Sequence, residues 1–281
     1  MRFEMVDVFA SGAFSGNPVA VVLDADDIDP ALFPKITQWF NLSETTFLLR
    51  PTHPDADYRA RIFTLEREMP FAGHPTLGSC RAWLSTGGVP KNEGSLIQEC
   101  GAGLVQIRSD DARPDHLSFK APPLIKSGSV DDAKIAKITE TLRIDRDAII
   151  AATWADNGPG WVAVMLESAE AVLAVEPARY STTRLDVGLV GPHPAGQETA
   201  YEIRAFFTDH NGALLEDPVT GSLNASVAQW LKSAGYVDTD YRAAQGTRIG
   251  RSGRIDIAYR GEDVWVGGAV RTMFTGTAEP W

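Results

Sequence analysis

Three side chains in this sequence are able to move a proton, and two of them sit in matching surroundings. His74 stands in Gly73-His74-Pro75-Thr76-Leu77-Gly78-Ser79, Asp217 in Asp217-Pro218-Val219-Thr220-Gly221-Ser222, and Glu44 in Asn41-Leu42-Ser43-Glu44-Thr45. A carboxylate whose pKa is tuned by partial burial is a general base, and histidine changes charge near neutral pH. Pro75 and Pro218 each read as the first position of a helix, where the missing N–H costs nothing, with Asp217 as an N-cap. A helix start carries unpaired N–H groups and partial positive charge, which hold a carboxylate or phosphate. Two such starts face to face would form an anion cradle, with Ser79 and Ser222 adding hydroxyl donors. Each residue also has an ordinary role: Asp217 a plain cap, His74 a satisfied polar residue, Glu44 a solvated loop acid. The paired placement of His74 and Asp217 is what raises them above it.

Other chemistry finds little support. Gly101-Ala102-Gly103 lacks the third glycine and the following helix of a dinucleotide fingerprint, and no P-loop is present. The five histidines show no metal-ligand spacing, so neither a metal nor a cofactor is expected. His210 lies in the plain turn Asp209-His210-Asn211-Gly212. Cys80 has no evident base beside it, so a thiol nucleophile is unsupported.

The elements that must position these residues repeat. At an offset of about 143 residues, Val19–Leu23 matches Val162–Leu166, Arg61-Ile62-Phe63 matches Arg204-Ala205-Phe206, and His74–Ser79 matches Asp217–Ser222. Glu44 falls opposite Val187 and stands outside the repeat. In the first half, short β-branched runs predict strands at Val19–Leu23, Thr45–Leu49, Arg59–Phe63, Leu104–Ile107 and Leu117–Phe119. A short helix opens at Asp29-Pro30 and ends near Asn41. A second follows His74, with Leu77, Cys80 and Leu84 on one face and Gly87-Gly88 as its stop. In the second half, a helix over Val130–Leu142 precedes strands at Trp161–Leu166, Arg184–Val190 and Tyr201–Phe207. A helix after Asp217 buries Leu223, Val227, Trp230, Leu231 and Ala234 and is stopped by Gly235. Strands near Arg254–Tyr259, Val264–Val266 and Val270–Phe274 close the chain. Each half therefore predicts a curved sheet or barrel wrapped round one apolar helix, with the boundary in the Pro-containing stretch Lys120–Ser129.

Composition narrows the function classes. The 281 residues are 44% hydrophobic and 22% charged, which describes a globular chain of about two domains. With 26 Lys+Arg against 37 Asp+Glu and a net charge of −11, nucleic acid and anionic membranes are not expected partners, whereas a small anionic substrate is. No run reaches the length of a membrane span, and the acidic N-terminus does not read as a signal peptide. Two cysteines, Cys80 and Cys100, fit reduced thiols in a cytoplasmic protein.

Ser15-Gly16-Asn17-Pro18-Val19-Ala20-Val21-Val22, Asn41-Leu42-Ser43-Glu44-Thr45, Arg61-Ile62-Phe63-Thr64, Pro70-Phe71-Ala72-Gly73-His74-Pro75-Thr76-Leu77-Gly78 and Glu216-Asp217-Pro218-Val219-Thr220-Gly221-Ser222 together resemble the phenazine-biosynthesis PhzF-like family over essentially the whole chain. The resemblance implies an α+β, diaminopimelate-epimerase-like fold. It would have two pseudo-twofold-related domains, each a mixed β-barrel around a central helix, with the active site between them. The first would span 1–121, completed by the C-terminal strand 264–281, and the second 122–263. It also implies a homodimer and a cofactor-independent isomerase acting on a dihydrohydroxyanthranilate-like carboxylate. In that reaction a glutamate takes a proton from C3 of the ring and returns one at C1, giving an enol that tautomerises to a ketone. By motif, Glu44 is the shuttle, His74 and Asp217 assist, and Gly73, Ser79, Gly221 and Ser222 bind substrate. Gly73 would let backbone approach the ligand. Epimerase relatives use two cysteines at the positions that read Ala72-Gly73-His74 and Glu216-Asp217-Pro218 here, so two-thiol racemisation is disfavoured. An amino-acid epimerase, or a ligand-binding protein that kept the fold, are the alternatives.

Overall fold

A computed structural model describes residues 1–110 and 112–279, which divide into two compact units: Met1–Lys120 joined by the chain from Gly267 on, and Ala121–Val266. In the first unit the elements are β1 (Arg2–Val8), β2 (Asn17–Val22), α1 (Phe33–Phe40), β3 (Glu44–Leu49), β4 (Tyr58–Thr64), β5 (Glu68–Met69), α2 (Gly73–Ser85), β6 (Ser95–Cys100), β7 (Gly103–Asp110) and β8 (Arg113–Lys120). The second holds β9 (Lys126–Gly128), α3 (Asp132–Leu142), β10 (Ala151–Asp156), β11 (Val162–Met165), α4 (Ala169–Ala174), β12 (Asp186–Pro192), β13 (Tyr201–Thr208), β14 (Leu214–Asp217), α5 (Gly221–Ser233), β15 (Tyr241–Gln245) and β16 (Gly253–Arg260). The last strand, β17 (Asp263–Thr277), begins in the second unit and ends in the first.

In the first unit β2 runs antiparallel to β1 and parallel to β3, β4 runs antiparallel to β3 and β5 and parallel to β6, and β6, β7 and β8 are antiparallel neighbours. β17 pairs with both β8 and β1, from Arg2 opposite Thr277 to Val8 opposite Val270, and so closes the sheet into a barrel. Closure removes the exposed edge that a curved open sheet would carry. The barrel is filled by α2, which touches β1, β2, β3, β4, β6 and β8 and has every residue from Gly73 to Cys80 buried. Outside it, α1 covers β3 and β4 through a stack of Phe33 on Phe47, centroids 4.0 Å apart, with Phe63 edge-on to both. Burial of three aromatic rings makes this a second core layer.

The second unit repeats the order: β10 antiparallel to β11, β11 parallel to β12, β12 antiparallel to β13, β13 antiparallel to β14 and parallel to β15, β15 antiparallel to β16. Its central helix is α5, buried from Gly221 to Ala228 and again at Leu231. On another face, α3 and α4 supply Ile135, Ile138, Leu142 and Val172 to a cluster with Val162, Val164, Val187, Leu189 and Phe206.

The expected helices and most strands stand where the sequence put them. Strands β1, β5, β6, β9, β10, β14 and β15 and the short helix α4 were not anticipated: β5, β9 and β14 are only two to four residues long, and in β1, β6, β10 and β15 buried polar residues (Glu4 and Asp7, Gln98, Gln245) or alanines break the apolar pattern. The two short strands expected at 264–266 and 270–274 are one. Gly267 sits inside it because a Cβ there would lie 2.7 Å from the Leu117 carbonyl oxygen, so it marks a close backbone approach rather than a break. The last two positions of the strand expected to 281 lie outside the described residues.

Candidate active site

In the first unit, α2 begins at Gly73, two residues earlier than Pro75 suggests, after extended Ala72, and no side chain caps it. The helix lies close to β2 because Gly78 has no side chain: a Cβ there would meet Val19 Cγ1 at 2.3 Å. His74 is therefore the second helical residue, and only 3% exposed. Two strands hold its ring. β2 opens with Asn17, whose Nδ2 lies 3.3 Å from His74 Nδ1, and the Pro18 carbonyl accepts a bond from the ring. β3 opens with Glu44, whose Oε2 lies 3.5 Å from His74 Nε2. Parallel pairing of β2 with β3 is what sets these two strand starts beside the same helix turn.

Burial lowers the His74 pKa to about 3, against the weaker opposite pull of the Pro18 carbonyl. The imidazole is neutral at working pH. Glu44, with its side chain 17% exposed, is the more accessible member of the pair. A neutral ring facing a carboxylate across 3.5 Å can share a hydrogen bond as the contact tightens, while charge and mobile proton stay on the carboxylate. Ser79 is not brought to the helix start. It lies further along α2, fully buried, and its hydroxyl donates to Thr46 Oγ1 at 2.9 Å.

In the second unit, α5 begins at Gly221 after extended Thr220, again without a side-chain cap. Asp217 is not its N-cap. It ends β14 opposite Ala205, is 9% exposed, and accepts a bond from Thr220 Oγ1 at 2.5 Å. The physical reason lies in the repeat. The 143-residue register holds as far as β4 and β13, which begin at Tyr58 and Tyr201, but the central helix starts five residues later relative to that strand start in the second unit. Gly73 therefore corresponds to Gly221 and His74 to Ser222, and the apparent match of His74 with Asp217 is not a structural one.

Ser222 is held from two sides. Trp161 Nε1 donates to its hydroxyl oxygen at 3.1 Å and Asn157 Nδ2 to its carbonyl at 2.8 Å. Behind it, the buried amide of Gln245 accepts from Thr220 N (3.0 Å) and Asn224 Nδ2 (2.8 Å) and donates to the Asp217 carbonyl (3.1 Å) and Thr220 Oγ1 (2.9 Å). Asp217, Thr220 and the first turn of α5 are thus one rigid piece. The sequence reading missed Asn17, Asn157, Trp161, Asn224 and Gln245. For the four amides the available signal was an amide in an otherwise apolar or tightly turning segment, which a buried network requires; Trp161 gave no such signal. The thiols stand apart: Cys80 is fully buried inside α2, its pKa pushed up to about 12 by burial, and burial also raises Cys100 at the end of β6.

Residues 6–278 match the family model described as phenazine biosynthesis-like protein, PhzC-PhzF. The chain belongs to this family. It is 33% identical to antisense-enhancing sequence 1 of Schizosaccharomyces pombe, covering 98% of this chain and 97% of that protein. It is 31% identical to trans-2,3-dihydro-3-hydroxyanthranilate isomerase of Pseudomonas fluorescens, covering 89% and 87%. The crystal structure of a PhzF-family phenazine biosynthesis protein from Enterococcus faecalis superimposes with a TM-score of 0.78 over 99% of both chains at 23% identity, which shows the fold. The PhzF-like chain therefore has the α+β, diaminopimelate-epimerase-like fold and is an enzyme of the isomerase class. No helix among its described residues is long and apolar enough to cross a membrane.

Proposed function

We propose that this PhzF-like protein is a cofactor-independent isomerase that moves a proton between two carbons of a small, dihydrohydroxyanthranilate-like carboxylate. Glu44 is the shuttle: it takes the proton from one ring carbon and returns it at another, ending each turnover in its starting state. His74 and Asp217 assist, and the uncapped starts of α2 (Gly73) and α5 (Gly221, Ser222) bind the anionic substrate. The observation that carries the reading is Glu44 Oε2 at 3.5 Å from the buried, neutral ring of His74. A neutral imidazole does not hold the proton in competition with the carboxylate, so a single base can serve both carbons. The position of Cys80 favours this over two-thiol epimerisation, since a buried thiol with a pKa near 12 supplies no thiolate.

The test is solvent-deuterium incorporation into dihydrohydroxyanthranilate and related ring carboxylates, comparing the wild-type protein with Glu44→Gln and with Cys80→Ser. Incorporation that disappears in Glu44→Gln and persists in Cys80→Ser is expected. Unchanged incorporation in Glu44→Gln would remove the assignment.

A further inference from the structure

The residue before Asp217 is held by a charged fork. Arg204 on β13 donates from Nε to Glu216 Oε1 at 3.0 Å and from Nη2 to Glu216 Oε2 at 2.8 Å, a bidentate pairing that fixes both distance and plane. Its Nη1 donates to the carbonyls of Val172 and Val175, 3.1 and 2.6 Å away, at the C-terminal end of α4, where a helix has carbonyls to spare. The guanidinium lies over the ring of Phe206, 4.8 Å from its centroid. The Arg204 side chain is 4% exposed and that of Glu216 10%. A pair buried this deeply adds little net stability over apolar residues of the same volume, because both charges had to leave water. What it can supply is fixed geometry, shared by β13, β14 and α4.

Geometry matters here because of what stands next to Glu216. In β14, Glu216 lies opposite Phe206 and Asp217 opposite Ala205, so the two carboxylates leave the sheet on opposite faces. With Glu216 clamped on the face covered by α4, the strand is kept from sliding or rotating. Asp217 is thereby aimed at the other face, where Thr220 Oγ1 donates to it at 2.5 Å.

The first unit carries the same device without that neighbour. Arg61 on β4 makes the same fork with Glu68 on β5, 2.7 Å at both bonds, and Phe63 stands opposite Glu68 as Phe206 stands opposite Glu216. There the two side chains are 25% and 44% exposed. Ile62 faces Met69 as Ala205 faces Asp217, so the structural counterpart of Asp217 is an uncharged methionine. Of the two copies of the fork, the one sealed from water is the one whose strand continues into an acid.

We propose that Arg204 and Glu216 are positioning residues for Asp217: the buried fork holds β14 so that the Asp217 carboxylate stays where it assists proton transfer. The inference rests on the reading above, in which Asp217 assists, and adds the pair through which the sheet fixes it. Both residues act through Asp217 and are not asked to touch the substrate.

Two variants of the full chain test it. Glu216→Gln keeps the shape and one arm of the fork, and Arg204→Lys keeps the charge and loses the planar fork. With solvent-deuterium incorporation into dihydrohydroxyanthranilate as the assay, each is expected to lower kcat about tenfold and to leave KM within about twofold. In an Asp217→Asn background the same substitutions should cost nothing further, since the pair acts through that carboxylate. A merely structural role would lower kcat by the same factor in both backgrounds, and that result overturns the proposal. So does an unchanged kcat in both variants, or a change confined to KM. A crystal structure of either variant gives a readout that needs no turnover. The Asp217 carboxylate should move by more than about 0.5 Å from its seat beside Thr220, and an unmoved carboxylate overturns the proposal. No incorporation by the wild-type protein would instead overturn the underlying reading, while the crystal structure still decides whether the fork positions Asp217.

Discussion

The two units build the same scaffold and put different chemistry on it. α2 and α5 have the same 13-residue length, start on glycine, lack a side-chain cap and are fixed at their fourth residue by a buried glutamine. Gln98 donates to Thr76 in one, and Gln245 accepts from Asn224 in the other. They differ at the second residue. His74 faces a carboxylate and is kept neutral by burial, whereas Ser222 is braced by Trp161 and Asn157. A duplicated frame of this kind permits specialisation, because each copy already supplies a helix start and only the neighbouring strands need change. Under the proposed function, the first unit contributes the proton shuttle Glu44 with His74, and the second contributes the braced start of α5 to holding the anion.

The sharpest test of that contrast is kinetic. His74→Leu should lower kcat by about a hundredfold to a thousandfold with little change in KM, the loss expected when a group that assists proton transfer is removed. Ser222→Ala should do the reverse, raising KM about tenfold through a lost binding contact while kcat moves little. Steady-state assays on the same substrate decide it. If both variants change the same constant, the division of labour between the units is wrong.

A smaller effect separates the glutamines. Gln245 makes four hydrogen bonds about the start of α5, while Gln98 donates to Thr76 and accepts from Tyr58 at 3.3 Å. Gln245→Leu strands more buried groups and should cost about 3 kcal/mol, against roughly half of that for Gln98→Leu. Urea unfolding of the two variants measures the difference. Equal losses would mean that the second network is no more critical than the first.

How far the sequence already showed this depends on which residues are asked. Apolar periodicity located both central helices, and His74, Glu44 and Ser222 could be picked out from type and motif. The register of the repeat could not be followed past β13, because nothing local to Asp217-Pro218 distinguishes a strand end from a helix cap. Asp217 is a good N-cap by type, yet its carboxylate accepts from Thr220, three residues further on and immediately before the first residue of α5. Asn17, Asn157 and Gln245 were hidden for a different reason. Their roles depend on partners 57, 65 and up to 28 residues away, and no window-based reading connects such pairs. Ser79 shows the opposite failure: a plausible donor by sequence, its hydroxyl is used up inside the barrel by Thr46.

The same asymmetry should be visible in acid. His74 has a folded pKa of about 3 against an ordinary value of 6.5, so below pH 6.5 the unfolded chain takes up a proton that the folded one refuses. Stability from this ring is complete above pH 6.5 and falls as the pH drops toward 3, at up to about 1.4 kcal/mol per pH unit. In the second unit, Ser222 occupies the same helix position and does not titrate. Denaturant unfolding between pH 7 and pH 4 should therefore give a shallower slope for His74→Gln than for the wild-type protein, with Ser222→Ala indistinguishable from wild type. A slope unchanged in His74→Gln would show that the ring is solvated enough to protonate in the folded state. It would then carry charge beside Glu44, and the first unit would hold an ion pair in place of a neutral acid–base partner.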